Sequence, residues 1–331
     1  MRHIDIPGMP AALHLTTPMS KPESLALQEW SDRLLESSPP RAKSLVMTLF
    51  GDAILPHGGA LWLGSLIRLL APFGINDRLV RTSVFRLAED GWLSGRREGR
   101  RSLYTLRDSA VRRFTRAYRR VYSPTYLAWP GHWTLVFATT GTLNPQTRSE
   151  LRKELNWEGF SALSPTVFVH PNPDRETLQE ILNTYGVRRD VFVTTMNQAQ
   201  DIEGRPLPEL VNEYWPLDEI SRNYETFIEH FSGLPGLIDA APAALTPELA
   251  FIIRGLLIHE YRRALLHDPR LPIELLPPDW AGKTAYELCR DLYGATHRRA
   301  EEYIMGALRE EDPDATPTAE YFYERFGGLP R

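Results

Sequence analysis

Hydrophobic positions recur with two different periods, and the switches between them divide the chain. Residues 41–55 place Leu45, Val46, Leu49, Phe50 and Ile54 on one side of a helix, and residues 60–70 do the same with Leu61, Leu63, Leu66, Ile67 and Leu70. Pro56-His57-Gly58-Gly59 breaks the chain between them. From residue 76 to 90 Val80, Val84 and Leu87 share one face, while Arg78, Arg81, Thr82 and Arg86 share the other. Asn76 or Asp77 can cap the free amides of that first turn, and Gly91 suits the end. Two short strands follow, 92–94 and 103–106, around Gly95-Arg96-Arg97-Glu98-Gly99-Arg100-Arg101. Helix, turn, helix and basic hairpin is the order of a winged helix-turn-helix.

The second helix of that unit reads as a DNA-reading helix. Arg78, Arg81, Thr82 and Arg86 form a row of guanidiniums with a hydroxyl among them, and Arg96, Arg97, Arg100 and Arg101 crowd the hairpin. Arginine makes paired hydrogen bonds to guanine in the major groove, and cations at a wing tip suit phosphate. Phe85 lies toward the reading face. It can meet a thymine methyl, but packing beneath the wing is the expected role. Residues 108–122 continue as a helix with Arg112, Arg113, Arg116, Arg119 and Arg120. These five arginines face either DNA backbone or acidic groups of the body.

The pattern then alternates. Strands are expected at 133–139, 160–163, 166–170 and 190–195, with helices at 145–156 and 175–185, giving the β-α-β-β-α-β order of a ferredoxin-like unit. Beyond residue 216 the period is helical again, with helices at 217–231, from Thr246 to about 266, and 283–308. A proline-punctuated linker and a short terminal piece at 321–326 complete it. The expected organisation is α+β multidomain: a flexible N-terminal arm (1–40) that is ordered only if it docks on a partner subunit, a winged helix-turn-helix domain with its basic connecting helix (41–122), a ferredoxin-like dimerisation domain (123–204) and an all-helical effector-response domain (205–331). A short helix at 23–35 is expected inside the arm.

Charge sharpens this division. The net charge of −4 hides sixteen basic against six acidic residues in 41–120 and nineteen against thirty-one in 121–331. A positive module on an acidic body suits a protein that touches phosphates with one part only. No run approaches the roughly 18 apolar residues of a membrane span, and residues 1–20 lack the apolar core of a secretory signal. A single cysteine, Cys289, forms no internal disulfide. A cytoplasmic protein without membrane contact is expected.

Several pieces together resemble the PaaX family of repressors of bacterial phenylacetate degradation. They are the reading helix and wing, Trp129-Pro130-Gly131-His132-Trp133, His259-Glu260-Tyr261-Arg262-Arg263, Asp268-Pro269 with Leu271-Pro272, and Leu275-Leu276-Pro277 with Asp279-Trp280 and Gly282. The resemblance spans about residues 40–310. It implies a homodimeric repressor on an inverted-repeat operator, released by an aryl-acyl-CoA such as phenylacetyl-CoA. Trp133, Arg254, His259, Arg262, Arg263, Trp280 and His297 are then candidates for holding that effector. His259, Arg262 and Arg263 lie within one helical turn and suit CoA phosphates, or else a salt-bridge network with Asp268 or Glu274.

No catalytic residue, metal ligand or cofactor site is expected. His259-Glu260 lacks the second histidine of a zinc-protease motif, because Arg263 stands there. A metal-dependent nuclease would want a carboxylate near the end of the first strand, which has none. A CoA-thioester hydrolase would want a nucleophile–base pair, and none is legible.

Overall fold

The computed structural model describes residues 21–123, 128–129, 131–138, 143–197 and 207–331. Residues 1–20 of the arm and Thr139, the expected end of the first alternating strand, lie outside them. Helix α1 (Lys21–Ser37) is not a loose arm. Leu27 and Leu34 are buried, Trp30 meets the ring of Phe231 edge-on at 5.4 Å, and the Trp30 indole donates to the carbonyl of His230 at 3.1 Å. Its apolar stripe is satisfied by the protein's own C-terminal part.

Helix α2 (Ala42–Leu49) does not run unbroken to residue 55. Residues Phe50–Ile54 widen into a π-turn, and Leu55–His57 tighten into a 3-10 turn. The extra residue of a π-turn re-aims side chains. Here it sends Asp52 inward and lets Gly51 approach Phe114, where a Cβ would stand 3.0 Å from the ring. Gly58 and Gly59 then adopt φ of +88° and +71°, a reversal that glycine permits. As a result residues 60–62 emerge extended, as β1 (Ala60–Trp62), and only α3 (Leu63–Leu70) is helical. Alternating Leu61 and Leu63 fit a strand as well as a helix, which is why periodicity alone misassigned this stretch.

Helix α4 (Asp77–Glu89) starts as expected, with Asn76 accepting from the Leu79 amide at 3.0 Å. The hairpin strands β2 (Leu93–Glu98) and β3 (Arg101–Leu106) are longer than expected. They pair from Leu93↔Leu106 to Glu98↔Arg101 and close on a two-residue turn, with Gly99 at φ +59°. Arg96, Arg97 and Arg101 therefore lie on strands, and only Arg100 is in the turn. Strand β1 adds to β3, giving the order β1-β3-β2. Helix α5 (Asp108–Tyr122) leads away from this sheet.

A second, antiparallel sheet contains β4 (His132–Ala138), β5 (Ser161–Ser164), β6 (Val167–His170) and β7 (Val191–Asn197), in the order β5-β6-β4-β7. Helices α6 (Pro145–Trp157) and α7 (Arg175–Thr184) cover one face and enclose Val136, Leu155, Phe168 and Ile181 in a core of their own. On the other face Trp133, Leu135 and Val169 join the main core. Gly159 fits the seam tightly, since a Cβ there would come within 2.4 Å of the Pro269 carbonyl.

The C-terminal part is helical: α8 (Leu207–Tyr214), α9 (Leu217–Phe231), α10 (Leu234–Ala240), α11 (Pro247–Leu265) and α12 (Ala281–Arg309). Thr246 caps α11, accepting from the Leu249 amide at 3.2 Å. α11 is apolar nearly all round, as a helix at the centre of a bundle must be. Its neighbours include α2, α5, α9 and α12, so the amino-terminal helices and the C-terminal bundle share one continuous core. The chain is thus a mixed helix-and-sheet assembly with a helical C-terminal region. No helix among the described residues is long and apolar enough to cross a membrane.

Candidate nucleic-acid interface

Helix α4 buries Val80, Ser83, Val84 and Leu87 and turns Arg78, Arg81, Thr82, Phe85 and Arg86 outward. Phe85 does not pack beneath the wing; it is 62% exposed on the reading face. Thr82 returns its hydroxyl to the Arg78 carbonyl at 2.8 Å, and Arg81 pairs with Asp77 at 2.6 Å, which holds its guanidinium beside the helix start. Arg78 and Arg86 have no ion pair among the described residues. On the wing, Arg97 donates to the Gly99 carbonyl at 3.2 Å and Arg96 pairs with Glu98. Arg101 differs from the rest, because it lies 4.2 Å over the Trp62 ring and donates to the Glu311 carbonyl at 2.7 Å. That contact ties the wing to the end of α12.

Two arginines of the basic helix α5 meet groups of the body. Arg116 faces Glu154 at 3.3 Å and Glu180 at 3.5 Å, and buried Arg120 donates to the carbonyls of Trp157 and Asp268, the latter at 2.6 Å. Arg112, Arg113 and Arg119 remain exposed.

Behind α4 lies a cavity of about 320 Å³ where α2, the residue ahead of β2, α5, α6 and α11 meet. Trp92, Phe114 and Trp157 give it aromatic walls. Arg262 reaches it from α11, and its described hydrogen bond is to the Thr48 hydroxyl at 3.1 Å. Burial pulls the guanidinium pKa down, against a smaller opposing effect of Tyr122.

The other effector candidates do not gather there. Arg254 is buried between Asp52, 2.8 Å from its Nε, and Glu301, 2.5 Å from its Nη1. Trp133 stacks on Trp215 with centroids 6.1 Å apart, and Trp280 stands edge-on to Tyr224 at 5.8 Å. Both of His297's nitrogens meet carbonyls at 2.8 Å, those of Gly294 and Pro330. His259 Nδ1 pairs with the Thr48 hydroxyl at 3.1 Å beside Arg262, while Arg263 is exposed. Neither Asp268 nor Glu274 completes a salt-bridge network with this trio. Asp268 takes the Tyr224 hydroxyl at 2.7 Å, and Glu274 faces the Trp129 amide at 3.3 Å. Sequence reasoning missed Trp92, Phe114 and Trp157, which come from three separate elements and share no spacing. Among the described residues no group of histidine, cysteine or carboxylate side chains has the arrangement of a metal site.

The same buried region contains a second cluster. Asp52 accepts from Arg254, from Arg325 at 3.0 Å, from the Tyr122 hydroxyl at 2.6 Å and from the Tyr293 hydroxyl at 2.9 Å. Glu301 takes Arg254, His57 at 2.9 Å and the Thr318 hydroxyl at 2.8 Å. Burial alone would raise the Glu301 carboxyl, but Arg254 and His57 outweigh it and hold it at about 2.

Three family models match the chain: PaaX-like protein over residues 41–110, PaaX protein central Cas2-like domain over 127–208, and PaaX-like protein C-terminal domain over 215–306. The Transcriptional repressor PaaX of Escherichia coli (strain K12) is 37% identical over 303 residues, which cover 92% of this chain and 95% of that protein. Among solved structures, the uncharacterized protein Rv0674 from Mycobacterium tuberculosis is 24% identical, with a TM-score of 0.45, over 73% of this chain and 89% of that one. From the three successive matches and the near full-length relative, this chain belongs to the PaaX family.

Proposed function

We propose that the protein is a ligand-responsive transcriptional repressor of phenylacetate catabolism, released from its operator by an aryl-acyl-CoA such as phenylacetyl-CoA. The observation that carries this reading is α4, whose arginines and Phe85 stand outward over a firmly packed face, together with the repressor relative. The succession of α3, the turn at 71–76, α4 and the β2–β3 hairpin supports the winged helix-turn-helix reading, and the strand order β5-β6-β4-β7 supports the ferredoxin-like one. Two reading helices of a dimer then address successive major grooves, so the operator is an inverted repeat. The effector acts by favouring the form that no longer fits that spacing, and its reach is set by its differential affinity for the two forms.

The arginines divide the work. Arg81→Ala should cost about 1–3 kcal/mol on the operator and little on random duplex, since base-edge contacts discriminate. Arg97→Ala should weaken both alike and flatten the salt dependence. Fluorescence-anisotropy titrations over a salt series decide this. Equal losses on both duplexes for both variants would contradict the assignment.

We place the dimer contact on β7, which among the described residues is an edge strand paired with β4. It leaves Phe192 64% and Met196 51% exposed, next to Phe137 at 36%. An open edge beside an apolar patch invites a second copy. Phe192→Glu should shift the protein to monomer in sedimentation velocity and weaken operator binding at least tenfold. A dimer unchanged by this substitution would place the interface elsewhere.

A further inference from the structure

The cavity behind α4 has the makings of a ligand site that the DNA-binding surface does not use. Its volume, about 320 Å³, is at the small end of the roughly 300–1,000 Å³ range of ligand pockets. Trp92 and Phe114 stand edge to face at 6.0 Å, and Trp157, Met47 and Leu266 add to the lining. Its lining has four cationic side chains, Arg113, Arg116, Lys153 and Arg262, against one carboxylate, Glu154. Glu154 is already engaged by Arg116 at 3.3 Å. Arg262 differs from Arg116, Arg120, Arg254 and Arg325, which all face a carboxylate, because its described hydrogen bond is to the Thr48 hydroxyl. A largely buried guanidinium without an anion is costly unless something occupies it.

We infer that this cavity is the effector site: its three aromatic rings hold a flat aromatic acyl group, and Arg262 takes that group's carbonyl or carboxylate oxygen. The space suits one ring and its acyl carbon. A nucleotide-bearing remainder has to lie outside, past the exposed Arg113 and Lys153, whose charge suits phosphates. The inference rests on the repressor reading, because it supplies the place where that reading's ligand acts.

The site also has a direct line to the reading helix. Trp92's amide donates to the Leu87 carbonyl at 2.9 Å, which closes the end of α4, and its carbonyl accepts from the Arg107 amide at 3.1 Å, ahead of α5. One residue therefore joins α4, β2 and the approach to α5 by its backbone while its indole forms a wall of the cavity. A ligand that displaces the indole moves the end of the reading helix relative to α5.

The test is calorimetric titration of the full chain, without DNA, against phenylacetyl-CoA, phenylacetate and free CoA in turn. The wild type should bind the thioester, the free acid or both, and the comparison identifies the source of the aryl group. Arg262→Gln removes the anchor, and Ala117→Leu fills the cavity from α5 without touching a charge. Each should weaken binding tenfold or more, while affinity for DNA measured without ligand stays within twofold. In the wild type, saturating operator duplex should weaken ligand binding by the factor by which ligand weakens DNA binding. Unchanged ligand affinity in both variants overturns the site and leaves the repressor reading standing. Free CoA binding as tightly as the thioester overturns the aromatic subsite. A wild type that binds neither phenylacetyl-CoA nor phenylacetate overturns the ligand assignment, and operator titration of that same protein then reports separately on the repressor reading.

Discussion

Asp52→Ala is expected to lower the stability of the protein by about 3–5 kcal/mol, the range found when one partner of a buried ion pair is removed. Two guanidiniums would lose their anion at once, because Arg254 and Arg325 both converge on this carboxylate and both are at most 1% exposed. Two phenol hydroxyls, of Tyr122 and Tyr293, would lose their acceptor as well. The loss should be global. Asp52 sits in the π-turn after α2, whereas its partners come from α5, α11, α12 and the terminal turns, so the whole shared core feels the change. Lys43→Ala serves as the contrast. It breaks an ion pair with Asp90 in which both side chains are 47% exposed, and such pairs contribute about 0–1 kcal/mol. Urea unfolding of the two variants checks this. A loss for Asp52→Ala no larger than that for Lys43→Ala would sink the account.

Acid is the second large lever. His170 is buried with its Nδ1 accepting from the Asn172 amide at 3.0 Å and its Nε2 facing the Pro269 carbonyl at 3.0 Å. That pairing requires a neutral ring, since a proton on Nδ1 would break the first bond. Burial first, and Arg120 and Arg270 after it, lower its pKa to about 4. His259 is lowered to about 4 by burial and by Arg262 and Arg263. A histidine depressed in the fold contributes stability above its unfolded value of 6.5, and that contribution drains as pH falls toward 4. At roughly 1.4 kcal/mol per pH unit for each ring, the two together should remove about 4 kcal/mol between pH 6.5 and 5. Glu301 adds a further step between about 4.5 and 2. The melting temperature should therefore fall steeply from pH 7 to 5. A flat profile over that interval would refute the neutral-ring assignment. Because His170 bridges β6 and the Pro269 linker, the seam between the small sheet and the helical part should loosen first.

What was legible in advance follows from how local each signal is. Helix α4 was legible because its cap, its apolar stripe and its terminal glycine all lie within sixteen residues of sequence, from Asn76 to Gly91. The β-α-β-β-α-β order was legible because strands and helices alternate with clear breaks. Strand β1 was hidden because three residues cannot establish a period, and their pairing with Leu103–Thr105 is decided by the hairpin. Arg254 and Arg262 illustrate the limit for sites. They lie eight residues apart on one helix, and sequence grouped them together. In the fold one is locked between two carboxylates and the other faces a cavity, because different partners pack against successive turns of α11. The aromatic walls of that cavity come from the wing, α5 and α6, and proximity of that kind is written only in the fold.

The placement of Arg325 bears on how the protein is made. Its guanidinium, contributed by the turns that follow α12, completes the shell of Asp52, which lies in the π-turn after α2. Synthesis proceeds from the amino terminus, so α2, α3 and α4 emerge from the ribosome long before their core can be finished. A chain cut short ahead of residue 320 leaves that carboxylate with a missing partner and removes the buried Phe322 and Phe326 from the shared core. A polypeptide that stops short of Arg325 should thus fail to close the shared core on which α4 packs, so the amino-terminal helices wait on residues far along the chain for their final packing.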